Sequence, residues 1–107
     1  MRGSYFAAID LGSNLTKIES NGLYSATVPI LILRSTSIVT TGNADSLQGV
    51  NSNTTVYIPK VLYDHLGDGT AYDYRAATNW SSKTTTTFAC IEGSQYENYY
   101  ADGTPIT

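Results

Sequence analysis

The chain has 107 residues, a formal net charge of −3, 41% hydrophobic and 14% charged residues, nine tyrosines and one cysteine. That length allows one domain and one modest core. The tyrosines and low charge exclude a disordered chain, and six scattered basic residues (Arg2, Lys17, Arg34, Lys60, Arg75, Lys83) exclude a phosphate-binding basic face. A single cysteine excludes an intrachain disulfide or a cysteine-based zinc site.

Taken in order, the segments show period-two alternation with β-branched and aromatic residues, the pattern of half-buried strands. "SYFAAID" (Ser4 to Asp10) is the first, and a Gly-Ser-Asn turn leads to "LTKIE" (Leu15 to Glu19). Asn21–Gly22 is a hairpin dipeptide, because both residues tolerate positive φ. Leu23 to Thr41 is long enough for two strands or one bent one, with Pro29 expected at an edge, a strand start or a bulge. Residues 42–53 are dense in turn formers and predict a long exposed loop with Leu47 and Val50 as apolar anchors. "TTVYI" (Thr54 to Ile58) resumes extended structure. "PKVLYDHLG" predicts one short helix near 59–66, with Pro59 at its start, Gly67 at its stop, and Val61, Leu62, His65 and Leu66 on one face. "TAYDYRAAT" (Thr70 to Thr78), "KTTTTFACIE" (Lys83 to Glu92) and "SQYENYY" (Ser94 to Tyr100) complete the predicted strands, and residues 101–107 form a tail. The expected fold is all-β and mainly antiparallel, a small sandwich or barrel of about seven strands in a single domain spanning 1–107.

The candidate sites divide by chemistry. "IDLGSNLTK" (Ile9 to Lys17) resembles the first phosphate loop of the actin-like ATPase and exopolyphosphatase superfamily. That resemblance would give Asp10 a metal-bound water and Gly12, Ser13, Asn14 and Lys17 a phosphate. The superfamily also needs two large lobes and a second loop, which this length does not supply, so a ligand-free strand and turn is the expectation. Asp64, Asp68 and Asp73 do not fit an EF-hand loop, because Leu66 and Arg75 fall where oxygen ligands are required. No metal or cofactor is expected. His65 has no nucleophile-elbow partner and reads as partly buried packing, and Cys90, between Ala89 and Ile91, reads as a buried inert thiol. No catalytic residue is assigned. Asn14, Asn53 and Asn79 open Asn-x-Ser/Thr triplets, which chance explains in a chain so rich in Ser and Thr.

The aromatic residues carry the functional expectation, since Tyr and Trp offer large, stiff contact area with a polar tip. The expected interface residues are Leu47, Val50, Trp80, Tyr96, Tyr99, Tyr100 and Ile106. The Thr/Ser/Asn/Tyr-rich texture of "SATVPILILRSTSIVTTGNADSLQGVNSN" and "KTTTTFACIEGSQYENYYADGTPIT" resembles small structural proteins of tailed bacteriophages, notably capsid decoration (cement) and head–tail accessory proteins. The resemblance implies a non-enzymatic viral subunit, made in the host cytoplasm and placed in the virion. It would bind itself and capsid or other structural subunits, with neither nucleic acid nor membrane as partner. The alternative is a carbohydrate or surface-ligand module that stacks its ligand on Trp80 and tyrosines, and the third is a phosphate or nucleotide binder through Asp10–Lys17. No signal peptide or membrane-length apolar run is present in the sequence.

Overall fold

The computed structural model describes residues 9–10, 16–18, 29–42, 50, 52–100 and 105–106. The regular elements among these residues are mostly strands, with one short helix. In chain order they are β1 (Ile9–Asp10), β2 (Lys17–Ile18), β3 (Ile30–Ile32), β4 (Thr40–Thr41), β5 (Thr55–Ile58), α1 (Lys60–Tyr63) and β6 (Thr87–Cys90), followed by a 3₁₀ turn at Gln95–Glu97.

The strands form a four-stranded sheet of order β1-β3-β5-β6 and a two-stranded sheet of β2 and β4. Every ladder between these described strands is parallel. Ile9 pairs with Leu31, Leu31 with Val56 and Val56 with Phe88, while Lys17 pairs with Thr40. The chain thus passes from the large sheet to the small one and back, twice, and advances one strand on each return. Among the described residues this corrects the expected antiparallel arrangement, while the mainly-strand content with one short helix stands. Side chains alternate with period two whether a neighbour runs parallel or antiparallel, so alternation carries no information on direction. The Asn21–Gly22 turn itself lies outside the described residues, but the strands flanking it, β2 and β3, belong to different sheets and are not hairpin partners. Pro29 does precede a strand start, and its carbonyl accepts a hydrogen bond from Thr55 N–H at 2.9 Å.

Two predicted strands are turns. Asp73 breaks the first: its carboxylate accepts from Gly69 N–H at 2.9 Å and from Arg75 N–H at 2.8 Å, so the chain curls around a side chain instead of extending. Burial pushes the Asp73 carboxyl up, but backbone N–H groups of Gly67, Gly69 and Arg75 outweigh it and hold it below the usual value. Gly67 and Gly69 turn those N–H groups inward at φ +85° and +75°, a region open to glycine. In the second, Ser94 caps the 3₁₀ turn: its Oγ accepts from Tyr96 N–H at 3.1 Å and donates to Ile91 O at 2.6 Å.

The register puts Leu31, Val56 and Phe88 on one face of the large sheet and Asp10, Ile32, Tyr57 and Ala89 on the other. The inner face, toward the small sheet, meets Ile18, Val39, Val50, Leu62, Tyr74 and Trp80 in one buried cluster. The outer face carries a second cluster of Ile32, Ile91 and Tyr96, flanked by Ile30 and Tyr57. Each fully buried large apolar side chain contributes roughly 1.5–3 kcal/mol, so the inner cluster dominates stability.

Helix α1 begins at Lys60, one residue later than expected, with Pro59 as its extended N-cap, and its first N–H (Lys60) is capped from 32 residues away by Glu92 Oε1 at 2.8 Å. Leu62 is buried and His65 and Leu66 are half-buried, but Val61 is 52% exposed. The regular helix is too short to carry one face through 66.

Candidate functional site

Where a third strand could join the small sheet, two aromatic side chains end it instead. Thr40 N–H bonds Thr16 O and Gly42 N–H bonds Ile18 O on the β2 side, so Val39, one residue before this alternating pair, turns its own N–H and C=O the other way. Val39 N–H donates to Tyr74 Oη at 3.0 Å, and Trp80 Nε1–H donates to Val39 O at 2.8 Å. Nearby, Asn79 Nδ2 donates to Thr41 Oγ1 at 2.6 Å. Asn79 has φ +67°, in the left-handed region that Asn tolerates better than most side chains, which lets the chain turn tightly beside Trp80. The rings of Tyr74, Trp80 and Phe88 then pack on one another with centroids 5.1–6.4 Å apart. Burial pushes the Tyr74 phenol up to about 12, with the Val39 N–H offsetting only part of the effect. Beside this seal lies a groove of about 320 Å³ lined by Ile38, Thr40, Thr41, Ala77, Thr78 and Trp80.

Across the large sheet, one guanidinium organises the outer face. Arg34 Nε and Nη2 bond both oxygens of Asp10 at 2.7–3.0 Å, with both side chains nearly buried. Arg34 Nη1 donates to Tyr96 O at 2.7 Å and Nη2 to Tyr99 O at 3.0 Å. Its carbon centre lies 5.2 Å from the Tyr100 ring centroid. One side chain therefore ties β1, β3 and the segment after β6 together, and that segment crosses the outer face with Tyr96 set edge-on against Tyr57 at 4.8 Å. Pro105 pairs antiparallel with Tyr99, and Ile106 N–H bonds Asn98 O at 2.9 Å, extending the strap.

The expected interface residues divide accordingly. Tyr99 and Tyr100 are 49% and 41% exposed. Ile106 is half-buried, and Leu47 lies outside the described residues. Val50, Trp80 and Tyr96 are buried, which corrects the expectation that they present a surface. Val50 and Trp80 belong to the inner cluster and Tyr96 to the outer one. Trp80 shows no accessible area even at the groove it lines, so it is not a stacking platform for a sugar. Val61, Tyr63 and Tyr72 are exposed apolar residues that the interface expectation omitted.

The phosphate-loop resemblance meets an occupied carboxylate, since Arg34 holds both oxygens of Asp10. Gly12, Ser13 and Asn14 lie outside the described residues, and Lys17 is exposed on β2. β1 and β2 pair in different sheets, whereas that loop requires them to form a hairpin. The three aspartates of 64–73 face different partners: Asp64 bonds Lys60, Asp68 bonds His65 and Thr70, and Asp73 bonds the backbone. Among the described residues no group of three potential ligands is placed to hold a metal ion. His65 is half-buried, its Nδ1 2.6 Å from Asp68 Oδ2 and its ring 5.4 Å from that of Tyr72. Cys90 is half-buried, and desolvation pushes its thiol up. No helix among the described residues is long and apolar enough to cross a membrane.

The residue that sequence reasoning missed is Arg34. Its signal was present: an isolated cation ends the apolar run "ILILR" in a charge-poor chain, and an isolated acid ends "AAID". No family model, curated protein or solved structure matches this chain.

Proposed function

We propose that the chain is a non-enzymatic structural subunit that works through protein contacts, with Tyr99 and Tyr100 at the centre of its contact surface. The observation that carries this is the anchoring of two exposed rings. Arg34 bonds Tyr99 O and lies against the Tyr100 ring, so one guanidinium holds the first residue by its backbone and the second by its ring. An exposed aromatic on rigid backbone loses little entropy on binding, which is the condition for a dominant contact residue. The partners in this reading are a second copy of the chain and other structural subunits. A net charge of −3 with few basic residues fits protein contacts better than nucleic acid. The proposed setting is a virion, as a capsid decoration or accessory protein, which rests on the Thr/Ser/Asn/Tyr texture of the sequence.

Co-sedimentation with candidate particles tests the reading. The wild-type chain is expected to pellet with its particle, and Tyr99→Ala with Tyr100→Ala to weaken binding at least tenfold, the effect of losing one dominant contact. Binding that ignores both substitutions would remove the tyrosines from the function.

A further inference from the structure

We infer that the free edge of β6 is a docking edge for β6 of a second copy of this chain, the two strands pairing antiparallel about a two-fold axis. The inference rests on the proposal that the chain assembles with itself, and it names the strand that does so.

The ladder fixes which backbone groups face outward. Thr87 N–H bonds Thr54 O and Ile91 N–H bonds Ile58 O, so alternate residues of β6 turn toward β5. Phe88 and Cys90 therefore turn their N–H and C=O groups away from it. The large sheet ends at β6 among the described residues, and no described donor or acceptor meets Phe88 or Cys90 on that side. The neighbouring outward carbonyl, Thr86 O, is capped by Arg75 Nη2 at 2.7 Å. The small sheet ends differently, with both groups of Val39 bonded by Tyr74 and Trp80. Among the described residues, one sheet is sealed at this end and the other keeps two donors and two acceptors.

Soluble proteins usually blunt such an edge with lysine, proline or a bulge. From Thr84 to Ile91 this chain carries no charge and no proline. A two-fold axis brings identical strands together antiparallel. Centred on Ala89, it sets Phe88 opposite Cys90 of the partner subunit, and each such pair exchanges two hydrogen bonds. The four outward groups of each copy are then satisfied, and the small side chain of Ala89 lets the strands approach at the centre. The edge is self-complementary, which favours a second copy over an unrelated strand. The contact is small, so association is concentration-dependent.

Analytical ultracentrifugation and amide hydrogen exchange across a concentration series test the inference. The expected mass rises from monomer to dimer. The Phe88 and Cys90 amides, and not those of the inner strands, should slow by about tenfold or more on the same rise, as new backbone pairing requires. Thr87→Lys, at an exposed position of this strand, should weaken dimerisation at least fivefold, while Ser82→Lys should leave it unchanged. The exchange measurement on the unaltered chain decides the matter even if Thr87→Lys perturbs folding. A dimer whose Phe88 and Cys90 amides ignore concentration, or one abolished by Tyr99→Ala instead, would overturn the β6 edge and leave the structural function standing. A chain that stays monomeric at every concentration yet pellets with particles would also overturn it. A monomer that binds no particle would overturn both.

Discussion

The two faces of the four-stranded sheet are held by different physics. Eleven buried residues fill the inner cluster, three of them aromatic rings packed on one another, whereas the outer cluster has three and depends on Arg34 to fasten the strap over it. Packing shares its energy among many contacts, so losing any large member should weaken the whole fold. A hydrogen-bonded clasp concentrates its role in one side chain, so its loss should act where the strap lies. The inner face sets stability, and the outer face sets where Tyr99 and Tyr100 stand.

The largest effect should come from the inner face. Trp80→Ala removes the biggest buried side chain and strips the Val39 carbonyl of its donor, at a cost of about 3–5 kcal/mol. Denaturant unfolding should show one transition moved as a whole, with every probe coincident. A variant that lost only the segment around residue 80 would mean that the two faces do not differ in this way. Arg34→Met should cost less, about 2–3 kcal/mol, because it deletes charged hydrogen bonds and leaves Asp10 without its guanidinium. Its effect should be local. Amides of Tyr96 to Tyr100 should exchange much faster while Val39 and Val56 keep their protection, and equal acceleration throughout would erase the distinction between clasp and core.

The seal on the small sheet sharpens the comparison with pH. Tyr74→Phe keeps the ring but deprives Val39 N–H of its acceptor, a loss of about 1–2 kcal/mol at neutral pH. The unfolded phenol ionises near 10, while the folded one holds its proton to about 12. The unfolded state therefore sheds its proton first, so this contribution is complete below pH 10 and is lost as pH rises from 10 to 12. In that window wild-type stability should fall by about 1.4 kcal/mol per pH unit relative to Tyr74→Phe. Parallel curves for the two proteins would place the phenol in contact with solvent.

Local grammar was legible in the sequence. Pro59 marks the helix start because it fixes φ, a property of a single residue, whereas Gly67, at φ +85°, lies four residues beyond the helix end at Tyr63 and shapes the turn that follows. The stretch Thr54 to Ile58 was legible because alternation reports which side chains share a face, and Val56 and Ile58 are buried there. Direction was hidden because strands of two to four residues have the same period in either sense. The returns of the chain were hidden too, since its strand partners in the large sheet sit 22, 25 and 32 residues apart and no repeated motif links them. At Asp73 the alternating pattern was misleading, because a carboxylate that gathers backbone N–H groups makes a turn out of any sequence around it. Trp80 was expected outside for its residue type. It went inside because Val39 O gave its indole N–H a buried acceptor, and only the fold brings those two residues together.

The smallest effect should appear where the two faces meet, at Cys90. Its side chain follows Phe88 on the inner face, at the margin beside α1, and is half-buried there. Desolvation pushes the thiol up, the Glu92 backbone N–H draws it back, and the Glu92 carboxylate, 3.6 Å from Sγ, adds to the rise. Because the thiolate is the nucleophile, labelling at pH 8 should be slower in the folded chain than in denaturant, by about tenfold for each unit of upward shift. Glu92→Gln separates the causes. It removes the charge but keeps an oxygen to accept from Lys60 N–H, so α1 stays capped and stability should change by less than about 0.5 kcal/mol. Labelling should then accelerate a few-fold without reaching the denatured rate, since burial is the larger cause and remains. An unchanged rate would assign the whole shift to burial. A rate equal to that of the unfolded chain would place Cys90 outside the inner face altogether, and would move the margin of the packed core back to Phe88.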